Sequence, residues 1–169
     1  APIESGMFCF ESISYCTEQE TRIPLDLLLA LLNSQILEWY FRIGSSYAQI
    51  NEYQFNMLPC PTIEDLQTPE TKWQKLIDNG DLEAAKIELT RLCSQHGIMP
   101  KKVGIALAEL SRRIQEIESD RKLSNRSERS RLAPESQRLQ DIIDAVLFRC
   151  YGVSQEEASY ISERLQQML

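Results

Sequence analysis

Glycine and histidine are scarce in this chain and its cysteines are scattered; each shortage removes a class of chemistry. Six glycines in 169 residues are too few for a turn-rich β architecture and favour helices. The nearest two, Gly97 and Gly104, stand seven apart, so no glycine-rich loop is available to cradle a cofactor phosphate. His96 is the single histidine; Ser-His-Asp or Cys-His catalysis would have to use it, and no partner pattern surrounds it. It reads as a surface histidine or a helix C-terminal cap. The five cysteines (Cys9, Cys16, Cys60, Cys93, Cys150) are odd in number and contain no Cys-x-x-Cys pair. That pattern argues against zinc and against a disulfide framework, and it predicts reduced, mostly buried thiols in a cytoplasmic protein.

Long apolar runs are also missing. Asp26, Asn33, Ser34, Gln35, Glu38 and Arg42 interrupt the richest stretch, and nothing approaches the ~20 apolar residues of a membrane span. A buried core helix is expected there, with no membrane partner. Positive charge is short as well: the net charge of −7 is the wrong sign for a free-standing nucleic-acid binder, whose affinity comes largely from phosphate contacts. The chain begins Ala1-Pro2-Ile3, without an initiator methionine, a basic leader or a twin-arginine signal, and is read as a fragment of a longer protein.

With 43% hydrophobic residues the chain can still build a substantial core. Residues 7–16 mix aromatic and β-branched side chains in partial alternation and predict a strand. Pro24 suits the first turn of a leucine-rich helix, which should run to about Ile43 and stop at Gly44. Tyr47 to Phe55 alternates weakly and predicts a short extended piece before Pro59-Cys60-Pro61. Beyond Pro61 every signal is helical. Thr68 before Pro69 marks one helix start, and Asp81 is an N-cap for a helix lined by Leu82, Ala85, Leu89 and Leu92. Val103, Leu107, Leu110, Ile114 and Ile117 are spaced 4, 3, 4, 3, a seam suited to antiparallel or coiled-coil packing. Ser124 to Ala133 is basic and poor in core residues, hence a loop. Pro134 should open a helix that Gly152 ends, and Ser154 with Glu157 makes a capping box for the last one.

The expected fold is therefore mainly α. A small N-terminal α+β lobe (residues 1–61, strand-helix-strand) precedes a helical bundle (62–169) of about five helices with a basic loop near 124–133.

Three segments carry a resemblance. Leu31-Leu32-Asn33-Ser34 on a leucine-rich helix ends in Trp39-Tyr40-Phe41; Leu58-Pro59-Cys60-Pro61 follows a polar loop and an extended piece. Near the C-terminus stands Asp141-Ile142-Ile143-Asp144-Ala145-Val146, continuing to Tyr151-Gly152-Val153-Ser154-Gln155-Glu156-Glu157. In this order they resemble the C-terminal target-recognition region of Taq-type adenine-N6 DNA methyltransferases and of the single-chain restriction-modification enzymes built on them. The likeness covers roughly residues 7–61 and 135–165. It implies a fragment that holds duplex DNA and reads bases. A catalytic domain N-terminal to it would transfer the methyl group of S-adenosylmethionine, and a nuclease is attached in some such enzymes.

The family's catalytic Asn-Pro-Pro-aromatic motif is absent from the chain, so no catalytic, cofactor-binding or metal-ligating residue is assigned. Asp141 and Asp144 lie three apart on one helical face, but no Asp/Glu-x-Lys nuclease pattern accompanies them; a solvated face or a salt bridge is the plainer reading than a metal site. Asn33 and Ser34 would bond backbone carbonyls or cap a neighbouring element. Arg42, Ser45, Ser46, Tyr47, Gln49 and Asn51 gather a guanidinium, hydroxyls and amides, the groups that read base edges, and are the candidate base contacts; an exposed turn is the other reading. Residues 99–138 hold ten Lys or Arg against six Asp or Glu. Within them Lys101, Lys102, Arg112 and Arg113 are candidate phosphate contacts, or else a solvated helix face. A rival function is a helical docking module that joins subunits or domains through the 103–117 seam without touching DNA.

Overall fold

A computed structural model of the chain describes residues 21–44, 57–123 and 126–168, with 126–131 as backbone alone. The expected strand at 7–16, the extended piece after Tyr47 and the end of the polar loop lie outside the described residues.

The elements run α1 (Leu25–Leu32), α2 (Gln35–Gly44), β1 (Thr62–Glu64), α3 (Trp73–Asp78), α4 (Leu82–Leu92), β2 (Ile98–Pro100), α5 (Lys101–Leu123), α6 (Arg126–Cys150) and α7 (Gln155–Met168). The mainly α expectation holds. Both described strands, however, fall after Pro61, where only helix was expected. They form a two-stranded parallel sheet with Ile63 opposite Met99, and the Thr62 N–H donates to Gly97 O at 2.9 Å beside it. Three residues each are too few to show alternation in a sequence.

One continuous core joins α1, α3, α4, α5 and α6 across the position of Pro61. Leu27 and Leu31 share it with Leu89, Met99, Leu107, Leu110, Ile143 and Leu147. The 103–117 seam is buried inside this core: Val103, Leu107 and Leu110 are fully enclosed, and Ile114 and Ile117 pack against them. Gly104 lets α1 approach α5, since a Cβ there would stand 3.3 Å from the Leu27 side chain and 3.5 Å from Met99 sulfur. A second, smaller cluster of Phe148, Ile161 and Leu165, flanked by Ile36 and Trp39, seals α2 and α7 onto the end of α6.

Several caps follow the sequence. Asp81 Oδ1 accepts from Ala84 N at 3.3 Å. The capping box closes reciprocally: Ser154 N donates to Glu157 Oε2 at 2.8 Å, and Glu157 N donates to Ser154 Oγ at 3.2 Å. Gly152 ends α6 at φ +76°, a backbone conformation that suits glycine.

Three boundaries differ from expectation. The basic stretch is not a loop through Ala133: α6 is already helical from Arg126, with Pro134 inside it. Most of its residues, such as Glu128, Arg129, Arg131, Leu132 and Ala133, form helix readily, and Pro134 itself is exposed. The helix after Thr68-Pro69 begins only at Trp73, where Glu88 of α4 accepts from Lys72 N at 2.9 Å. The leucine-rich helix is two helices, interrupted at Asn33-Ser34.

Candidate functional site

The interruption at Asn33-Ser34 is made by the motif's own side chains. Asn33 Nδ2 donates to Leu29 O at 2.9 Å and closes the end of α1. Ser34 is fully buried; its hydroxyl donates to Leu31 O at 2.6 Å and accepts from Leu37 N at 3.4 Å, capping the start of α2. The capping role expected of this pair is observed, between two helices that the sequence reading had joined.

The next donor is bound from far along the chain. Gln35 N donates to Asp144 Oδ1 at 2.8 Å, and Gln35 Nε2 to Asp144 Oδ2 at 3.1 Å. Gln140, one turn earlier on α6, donates to Asp144 Oδ1 at 3.4 Å and to Asn33 O at 3.3 Å. From α7, the Ser162 hydroxyl donates to Gln35 Oε1 at 2.6 Å. Asp144 is 4% exposed, and burial pushes its carboxyl up to about 6, against the N–H and amide donors that hold it down. A carboxylate at the start of a helix is well placed for the dipole and the free N–H groups there.

This corrects the reading of Asp144 as part of a solvated face or salt bridge. Asp141 does face solvent, accepting from Gln137 at 2.9 Å. Asp144 faces inward and has amide partners, and no group of three or more metal-ligating side chains occurs among the described residues.

The second contact lies seven residues on, where the Tyr151 hydroxyl donates to Pro59 O at 2.5 Å. Tyr151 is still on the helical ladder through its N–H to Leu147 O at 2.9 Å. Burial raises its phenol above the ordinary range, so it stays a neutral donor. Nearby, Gly97 N donates to Cys150 O at 2.8 Å and Cys150 Sγ to Ile98 O at 3.5 Å. Cys93 and Cys150 are buried free thiols and Cys60 is an exposed one, while Cys9 and Cys16 lie outside the described residues. Against Gly152 lies His96, in the space a Cβ would need.

Of the candidate base contacts, Arg42 is described and Ser45, Ser46, Tyr47, Gln49 and Asn51 lie outside the described residues. Arg42 pairs with Glu38 one turn back, at 2.6 Å. The candidate phosphate contacts are dispersed. Arg112 pairs with Glu109 at 2.7 Å and also with Glu116, and Arg113 pairs with Asp78 at 2.7 Å and Glu109 at 2.9 Å. Arg112, then Arg113, hold the Glu109 carboxyl below its ordinary range. Lys102 donates to Thr68 O at 3.1 Å. Lys101 and Arg112 line a groove of about 740 Å³ with Arg22, but Asp26, Glu64, Asp65 and Glu109 line it too. A phosphate in that groove would meet four carboxylates beside three cations.

The sequence reading missed Gln35, Gln140, Ser162 and Tyr151. Their partners lie 92 to 127 residues away, apart from Gln140 to Asp144, and no local pattern reports such pairs. No helix among the described residues is long and apolar enough to cross a membrane. No protein-family model, curated protein or solved structure matches the chain.

Proposed function

We propose that this chain is the DNA target-recognition region of a prokaryotic adenine-N6 DNA methyltransferase or restriction-modification enzyme, working for a catalytic domain outside it. One observation carries the reading. The three segments on which the resemblance rests are joined in space by α6 and the turn that ends it, through Asp144 to Gln35 beside Leu-Leu-Asn-Ser and through Tyr151 to Pro59 of Leu-Pro-x-Pro. Arg42 and the polar stretch after it, out to Asn51, stand between the two bonded segments in the chain and supply the base-reading groups. The catalytic domain would provide most phosphate contact, consistent with the acidic chain and the paired arginines here. It would also bind S-adenosylmethionine and methylate an adenine turned out of the duplex.

In the rival docking role the chain would use a surface other than Val103, Leu107 and Leu110, which its own helices cover.

The test is selection from a randomised duplex pool by the full-length enzyme that carries this chain. A short enriched sequence is expected, and changing Gln49 and Asn51 to Ala should erase preference at a base position, a loss of about 1–3 kcal/mol there. Recovery of an unenriched pool by the full-length enzyme, or unchanged discrimination in the folded double variant, overturns the proposal. The chain alone should show no methyl transfer or nuclease activity, and calorimetric titration should detect no micromolar binding of S-adenosylmethionine.

A further inference from the structure

Cys93 and Cys150 meet where the end of α4 lies against the end of α6. Cys93 caps α4, and Cys150 is the last residue of α6. Both are free thiols in the main core, 1% and 0% exposed. The residues after Cys93 fold back over the end of α6, where Gly97 N donates to Cys150 O at 2.8 Å and Cys150 Sγ donates to Ile98 O at 3.5 Å. The Cys93 thiol hydrogen-bonds the Cys150 sulfur. Among the described residues no third His, Cys, Asp or Glu completes a metal site with them.

A buried thiol in apolar surroundings is ordinarily inert. This pair differs in two respects. It lies close beneath the surface, since residues 94–97 and Arg149 beside it are exposed. It is also polarised. The hydrogen bond from Cys93 lowers the Cys150 thiol below its ordinary range, and the same bond, with burial, raises Cys93 against the nearby Arg149 charge. Cys150 is the nucleophile of the pair and Cys93 its proton donor.

We propose that Cys93 and Cys150 form a reversible redox site, oxidised by hydroperoxides to a disulfide that locks the end of α4 to the end of α6. The Cys150 thiolate attacks one peroxide oxygen; an S–O bond forms, the O–O bond breaks and the departing oxygen leaves as water. The Cys93 sulfur then attacks the Cys150 sulfur, forming the S–S bond and expelling the hydroxyl as a second water. Two thiols and one hydrogen peroxide thus give one disulfide and two waters, with sulfur oxidised and peroxide oxygen reduced. Closure gives up only weak S–H bonds, from Cys93 to Leu89 O at 3.9 Å and from Cys150 to Ile98 O. The site works independently of the target-recognition role, and a single transient disulfide of this kind is compatible with a reducing compartment.

The full-length protein that carries this chain is treated, folded, with a modest excess of hydrogen peroxide; remaining thiols are alkylated after unfolding and the peptides mapped. A crosslinked peptide containing Cys93 and Cys150 is expected, and dithiothreitol should abolish it. Amide exchange of 93–98 and 150–152 should slow about tenfold on oxidation, because the lock restrains local opening at both helix ends. Cys93→Ala and Cys150→Ala should remove that slowing. Mapping of the wild-type protein decides the matter even where a variant fails to fold. Alkylation of both cysteines after peroxide treatment overturns the proposal, as does pairing of either with another cysteine. A Cys93–Cys150 crosslink that leaves exchange unchanged overturns the lock.

Discussion

The body built from α1, α4, α5 and α6 and the corner built from α2 and α7 are held by different forces. In the body, Leu89, Leu107, Leu110, Ile143, Val146 and Leu147 have no exposed surface and interlock with one another. In the corner a small cluster of Phe148, Ile161 and Leu165 is buried and Leu37 of α2 reaches the main core, while Tyr40, Ile43 and Tyr160 are 48%, 68% and 53% exposed. Trp39 meets Tyr160 edge to face at 6.0 Å, and Arg164 stands 5.8 Å from the centre of the same ring. What orients the corner is polar: the amides of Gln35, the buried Asp144 carboxyl, the Ser162 hydroxyl and the Ser154–Glu157 box. Apolar burial scales with area and has no direction, whereas a hydrogen bond adds about 1 kcal/mol and fixes an angle. Stability is concentrated in the body and orientation in the corner.

The largest effect that can break this comparison is a core truncation. Leu107→Ala should cost about 3–4 kcal/mol in urea unfolding, since a rigid, fully enclosed site cannot collapse around the cavity. Leu165→Ala, at the edge of a three-residue cluster, should cost about half that. Equal losses would show that the corner is as tightly packed as the body.

An intermediate effect depends on pH. Burial raises Asp144 from an ordinary 3.8 to about 6. Its folded-state value then lies above the unfolded one, so the folded chain binds this proton more tightly. The contribution is complete below about pH 4 and is lost as pH rises through about 6, amounting to about 3 kcal/mol for a gap of about two pH units. Asp144→Asn removes this titration. The stability difference between wild type and variant should therefore change between pH 4 and pH 7, in favour of the wild type at the acid end, and urea unfolding at several pH values measures it. A constant difference would mean that Asp144 is solvated after all and that the corner has no buried pin.

The smallest effect sharpens the contrast. Ser154→Ala should cost about 1 kcal/mol by loss of a cap. Amide exchange should rise within α7 and stay unchanged in α5. A rise spread over both helices would join corner and body into one cooperative unit.

Much of the body was legible in the sequence, because its determinants are local and periodic. The 4, 3, 4, 3 spacing from Val103 to Ile117 places those residues on one helical face whatever surrounds them, and Asp81, Gly152 and Ser154 with Glu157 act within three or four residues. The seam's partner was not legible: an apolar stripe specifies burial but not what covers it, and here α1 and α6 do so rather than a second protein. The helical start at Arg126 was hidden by a stretch whose composition suits a loop and a helix alike, with Pro134 suggesting a boundary that α6 passes through. The candidate site was legible in its parts, as three motifs, and not in their connection.

From sequence alone, then, come the helical content, the caps, the internal seam and the polar stretch between Gly44 and Pro59. Each depends on side chains a turn or less apart, or on repetition at the helical period. Tertiary structure alone decided that the leucine-rich helix breaks at Asn33-Ser34, that Asp144 is buried against Gln35 rather than solvated beside Asp141, that Arg112 and Arg113 are neutralised by Glu109, Glu116 and Asp78, and that Tyr151 reaches Pro59. Those outcomes depend on which groups are brought within about 3 Å by the packing of distant helices, and that proximity is a property of the whole fold.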